Sequence, residues 1–146
     1  MKITVASNEN VYQSRKSDPW VFITNNRNLF PGNKTIEKPY LELSFMDLTP
    51  TECTGSFAQF KDQLCNEEDI KKIIDFVSLN KDSQHLWVSC DMGMCRSPAV
   101  ANGIIKHLNL SQNLYIPPTY HPNPWVTLLF KIYLRKNSYE KLHGIH

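Results

Sequence analysis

Hydrophobic positions along the chain fall into alternating strand-like and helix-like blocks. Ile3 and Val5 alternate with polar neighbours in a short β-like run over 3–6, and the polar stretch Glu9 to Ser17 suits a surface helix. Trp20-Val21-Phe22-Ile23-Thr24 is a continuous apolar run stopped by Asn25-Asn26, the pattern of a strand buried on both faces. Asn28 to Lys38 contains Pro31-Gly32-Asn33 and reads as a loop. Leu41, Leu43 and Phe45 then share one face of a third strand over 40–45, which leaves through Met46-Asp47-Leu48 into a loop rich in Thr, Gly and Ser as far as Ser56. Asn66 supplies a helix N-cap and Glu67-Glu68-Asp69 an acidic first turn. Ile70, Ile73, Ile74 and Val77 follow at i, i+3, i+4 and i+7, which predicts an amphipathic helix over 67–79. His85 to Ser89 is a fourth strand. Beyond it, Val100, Ile104, His107 and Leu108 trace one face of a helix with Pro98 in its first turn. Pro117-Pro118 and Pro122 stiffen the next connection. Asn123-Pro124 opens a last helix with Val126, Leu129, Phe130 and Tyr133 facing inward.

This alternation predicts a single α/β domain over 1–146, with a central, mainly parallel twisted sheet of four to five strands. Helices flank the sheet on both faces through right-handed crossovers. In such sheets ligands bind at the carboxyl ends of the strands. Cys90 and Asp47 each sit just past such an end, so the two can meet on one edge.

Composition narrows the functional classes. Among 146 residues, 41% are hydrophobic and 21% charged, an ordinary globular balance. The net charge of +2 comes from 16 basic and 14 acidic residues, with the arginines dispersed at 15, 27, 96 and 135. A nucleic-acid partner would want a concentrated basic face, so none is favoured. No apolar run reaches membrane-span length, and Met1-Lys2-Ile3-Thr4-Val5 is too polar for a signal peptide. The expected location is the cytoplasm, with Cys53, Cys65, Cys90 and Cys95 reduced. The cysteines form no pair of CxxC elements and the five histidines no spaced cluster, so neither a metal nor another cofactor is expected.

One stretch carries specific chemistry. Leu86 to Ala101, LWVSCDMGMCRSPAVA, runs an apolar strand into Cys90, turns through Gly93 and reaches Arg96-Ser97-Pro98 at a helix start. A strand feeding a short loop onto a helix N-terminus presents backbone N–H groups and the positive end of the helix dipole to an anion. Five residues separate Cys90 from Arg96, a loop short enough to curl round a phosphate. Gly93 permits the positive φ or close approach such a curl needs. Arg96 can hold two oxygens bidentately, and Ser97 can donate to the Cys90 sulfur when it becomes a leaving group. A lone cysteine at a strand end is ordinarily a small buried hydrophobe. The Gly, Arg, Ser and Pro at fixed offsets favour a nucleophile instead, because positive surroundings favour thiolate.

Ser89-Cys90-Asp91-Met92-Gly93-Met94-Cys95-Arg96-Ser97 resembles the HCxxGxxRS signature of the dual-specificity branch of the cysteine-dependent protein tyrosine phosphatase superfamily. The cysteine, glycine, arginine and serine match, and Ser89 stands where the family has histidine. Cys95-Arg96-Ser97-Pro98 is also similar to the low-molecular-weight tyrosine phosphatases, but those carry the loop near the N-terminus with glycine one residue earlier. The wider layout, with Phe45-x-Asp47 after the third strand and Asn123-Pro124 opening the last helix, resembles the small dual-specificity-like phosphatases of bacteria and phages.

The resemblance implies a metal-independent phosphomonoesterase acting on a phosphorylated protein or peptide. The substrate would be phosphotyrosine, with phosphoserine and phosphothreonine as alternatives. Cys90 would form a phosphocysteine, and a carboxylic acid would protonate the leaving oxygen before activating water. Asp91, Met92, Gly93, Met94, Cys95 and Arg96 would bind the substrate. Asp47 is the expected acid, 43 residues before Cys90 (90 − 47), on a loop leaving the active edge. Asp62, 28 residues before (90 − 62), is its rival. Two other classes use comparable loops: a phosphate-binding module without turnover, and a rhodanese-like sulfurtransferase. Cys95 is read either as a packing residue or as a redox partner for Cys90.

Overall fold

The computed structural model describes residues 1–144. Four strands, β1 (Lys2–Ser7), β2 (Trp20–Thr24), β3 (Tyr40–Ser44) and β4 (His85–Cys90), form one parallel sheet in the order β1-β4-β2-β3. Four α-helices accompany them: α1 (Asn8–Ser14), α2 (Glu67–Leu79), α3 (Arg96–His107) and α4 (Pro124–Leu142). The last strand in sequence thus lies between β1 and β2, and Cys90 ends an interior strand rather than an edge.

Strand periodicity divides the sheet into two faces. Ile3, Val5, Val21, Ile23, Leu43, Leu86 and Val88 point into the main core with the apolar stripes of α2, α3 and α4. Trp20 and Phe22 point the other way, against Val11 of α1 and Phe30 of the β2–β3 loop. Both faces are covered, one by three helices and the other by one short helix and a loop. All five residues of β2 are buried, as its unbroken apolar run predicts.

Helix α3 is buried almost all round, because it is sandwiched between the sheet and α4. Gly103 permits this closeness: a Cβ there would stand 2.4 Å from the Phe130 ring. Asn66 caps α2 by accepting from the Asp69 N–H while the Asp69 carboxylate accepts from the Asn66 N–H, a complete capping box. Asn123 caps α4, its side chain accepting from the N–H groups of Trp125 and Val126.

Three elements differ from the sequence expectation. The first helix begins directly after β1, where the Ser7 hydroxyl caps it, and ends at Ser14. The third strand ends at Ser44, although Phe45 stays buried in the main core. Residues Pro50–Glu52 and Gly55–Gln63 wind as 3-10 segments. The second has no buried residue and so no apolar period to read. No described helix is long and apolar enough to cross a membrane.

Candidate active site

The loop from Asp91 to Cys95 folds back over the end of β1, where Ser7 lies opposite Cys90 in the strand register. Gly93 sits on the Ala6–Ser7 peptide with φ +71°. A Cβ there would approach the Ala6 carbonyl carbon to 2.6 Å and the Ser7 nitrogen to 2.8 Å. Both contacts are to backbone, which cannot swing aside. Gly93→Ala is therefore expected to cost about 3 kcal/mol through strain and overpacking, lowering Tm by roughly 6–12 °C. Thermal unfolding followed by circular dichroism checks this, and a change under 2 °C would contradict the packing described.

The opposite wall of the loop is tied to the segment before α4. The Met94 carbonyl accepts from the His121 N–H and the Cys95 carbonyl from the Asn123 N–H, each at 2.9 Å. In a trans peptide the N–H points opposite to the carbonyl, so the N–H groups of Cys95 and Arg96 face the other side of the loop. Helix α3 starts at Arg96, adding the positive end of its dipole.

Cys90 lies at the bottom, 2% exposed, with its Sγ 3.2 Å from the Ser97 Oγ. Arg96 is also buried. Its Nη1 donates to the Asn25 Oδ1 at 3.1 Å and to the Phe45 carbonyl at 2.9 Å, and its Nη2 to the Asp91 Oδ2 at 3.3 Å. Of five guanidinium N–H donors, three are committed. Among the described residues the Nε–H and one Nη2–H have no partner, the number a bidentate pair with an oxyanion requires.

Ser89, at the position where histidine was expected, is fully buried and fully paired. It donates to the Asn8 Oδ1 at 2.6 Å and accepts from the Trp20 Nε1 at 2.7 Å. Asn8 in turn donates to the Ile23 carbonyl and to the Asp91 Oδ1, both at 3.1 Å. A continuous hydrogen-bonded chain therefore runs Trp20–Ser89–Asn8–Asp91–Arg96, from the core to the guanidinium.

Asp47 reaches the loop. Its Oδ1 accepts from the Asn123 Nδ2 at 2.7 Å, and its carboxylate lies against the Cys95 thiol. Burial pushes that thiol up, and the Asp47 charge adds to the effect, with Cys90 contributing and Arg96 opposing. Cys95 therefore stays protonated at neutral pH. Asp62 lies exposed on the second 3-10 segment, and among the described residues no hydrogen bond joins it to the loop. Met92 and Met94 are exposed at the mouth, 78% and 38% respectively. Among the described residues no group of three or more His, Cys, Asp or Glu is arranged to hold a metal ion.

The structure thus brings together Cys90, Asp91, Gly93, Cys95, Arg96, Ser97 and Asp47. It adds Asn8, Asn25, Asn123, Ser89 and the Phe45 carbonyl. Asn123 was legible only as a helix cap, Phe45 only as part of the Phe45-x-Asp47 layout and Ser89 only as the departure from the loop signature, while Asn8 and Asn25 carried no motif.

No family model matches the chain, and no curated protein matches its sequence. Its structure is similar to the crystal structure of human tyrosine phosphatase-like serine/threonine/tyrosine-interacting protein, with a TM-score of 0.52 and 14% identity over 92% of each chain. The fold is tyrosine-phosphatase-like. This agrees with the parallel α/β architecture expected from the sequence.

Proposed function

We propose that this protein is a cysteine-dependent phosphomonoesterase acting on phosphotyrosine in proteins or peptides. The observation that carries the reading is the pairing, inside one loop, of a buried thiol against a hydroxyl with a buried guanidinium that has two N–H donors uncommitted. The phosphoryl oxygens would occupy those donors and the loop N–H groups, placing phosphorus above Cys90. The Cys90 thiolate forms the S–P bond as the P–O bond to the leaving group breaks, and Asp47 delivers a proton to that oxygen. Asp47, now a base, takes a proton from water attacking the phosphocysteine. The S–P bond breaks, and Ser97 donates to the departing sulfur. Phosphate is released.

The test is hydrolysis of p-nitrophenyl phosphate and of a phosphotyrosine peptide in the presence of EDTA, with vanadate as inhibitor. Turnover that survives EDTA and is lost with vanadate is expected. Absence of phosphate release from both substrates would sink the proposal. If the wild type then bound the phosphopeptide without hydrolysing it, the loop would be acting as a phosphate-binding module.

A further inference from the structure

Arg96 is the only basic residue among residues 90–97, and the loop carries its own carboxylate beside it. The five positions between Cys90 and Arg96 are Asp, Met, Gly, Met and Cys. Among the described residues, the groups that contact the loop from outside it, on Ala6, Ser7, Asn8, Asn25, Phe45, Asp47, His121 and Asn123, include no lysine or second arginine. An anion entering this mouth meets one buried guanidinium and two carboxylates. That balance suits a single phosphate and opposes a cluster of them.

Asp91 is built into this position. The Asn8 amide holds its Oδ1, and Asn8 is itself 2% exposed and anchored to the Ile23 carbonyl and the Ser89 hydroxyl. The other oxygen takes one Nη2–H of Arg96, which keeps two donors for phosphate. The Asp91–Arg96 pair can therefore persist when phosphate is bound. Each carboxylate oxygen retains a second acceptor site, and the side chain is 43% exposed. A carboxylate fixed at the rim beside the phosphate is placed to meet a cation on the same substrate. Exposed Met92 and Met94 flank it with apolar surface.

We propose that Asp91 is a specificity-determining residue. It directs the loop towards monophosphate esters in chains with lysine or arginine next to the phosphorylated residue, and away from substrates with clustered phosphates. The proposal rests on the loop being the phosphate site proposed above, but not on turnover. The reason is that an ion pair at a half-exposed carboxylate acts on binding. Exposed pairs of this kind change affinity about two- to fivefold per charge, and salt screens them.

The experiment measures binding of fluorescent phosphotyrosine peptides to Cys90→Ser by polarisation. The peptides carry lysine, alanine or glutamate on both sides of the phosphotyrosine, and kcat/KM on the same peptides is measured with the wild type. The expected order is lysine, alanine, glutamate, with about tenfold between the extremes at low salt and less at high salt. Adding Asp91→Asn should bring the extremes within about twofold, and adding Asp91→Lys should invert them. Circular dichroism confirms that each variant is folded, and Asp91→Ser replaces any that is not.

A flat order with Asp91 present overturns the proposal. So does an order unchanged in Asp91→Asn but lost in Asp47→Asn, which would assign the preference to the other carboxylate. Tighter binding of an inositol trisphosphate than of the lysine peptide also overturns it, as does failure of every peptide to bind. Hydrolysis of p-nitrophenyl phosphate by the wild type, measured alongside, decides the phosphatase reading separately.

Discussion

Cys90→Ser is expected to lower phosphate release by at least about 10⁴-fold while leaving the fold and phosphopeptide binding in place. The serine hydroxyl fits where the thiol sits, 3.2 Å from the Ser97 Oγ, so packing at the end of β4 is kept. A hydroxyl there remains protonated and is a poor nucleophile without a base beside it. Asp47 does not supply one, because it is engaged with Asn123 and Cys95 at the far wall of the loop. The phosphate-holding groups, Arg96 and the loop N–H groups, are untouched, so binding measured by polarisation should persist. A residual rate within tenfold of the wild type would remove Cys90 as the nucleophile and with it the phosphocysteine.

The second large effect concerns the acid. Asp47→Asn keeps the shape and the oxygen that accepts from the Asn123 Nδ2, but it has no proton to deliver to a leaving group. Phenyl phosphate, whose leaving oxygen needs protonation, should slow by about 10²–10³-fold, within the usual range for a lost general acid. p-Nitrophenyl phosphate, with a better leaving group, should slow far less. Asp62→Asn should behave as the wild type on both. The opposite pattern, with phenyl phosphate failing in Asp62→Asn and not in Asp47→Asn, would move the acid to the 3-10 segment.

Both predictions depend on residues whose legibility in the sequence differed for physical reasons. Cys90, Arg96 and Ser97 could be read because a five-residue spacing constrains a short loop whatever the rest of the fold does. Asp47 was reached from topology: it follows β3, and ligands gather at the carboxyl ends of parallel strands. The same rule, applied to every strand, points to the three whose part was missed, Asn8, Asn25 and Phe45, and to Asp91, which the sequence offered only as a substrate contact. Asn8, Asn25, Phe45 and Asp91 are the first residues beyond β1, β2, β3 and β4, and each contributes to the chain of contacts that holds Arg96. Ser89 was not readable in this way. Its role depends on burial beside Trp20 and Asn8, which are distant in sequence and meet it only across the sheet.

The fold was legible where periodicity is strong. The unbroken run of β2 and the stripe of α2 leave little choice of burial, and both elements match the bounds the sequence predicts. The 55–63 segment escaped because it packs nothing into the core, so no spacing of apolar residues marks it. Helix α3 shows the opposite limit. It is buried on nearly every side, so the stripe of Val100, Ile104, His107 and Leu108 caught only part of its buried surface: Arg96, Ser97 and Gly103 are buried as well, while His107 and Leu108 are half-buried.

The four strand-end residues around Arg96 also bear on how the protein comes to be competent. Each directly follows a different strand, and β4, which carries the loop, is the last to be made and takes its place between two earlier ones. The guanidinium is held in place only once every strand is in register. A partly assembled chain would have the motif without the cradle, so the capacity to hold an anion should emerge cooperatively, with closure of the sheet, rather than residue by residue.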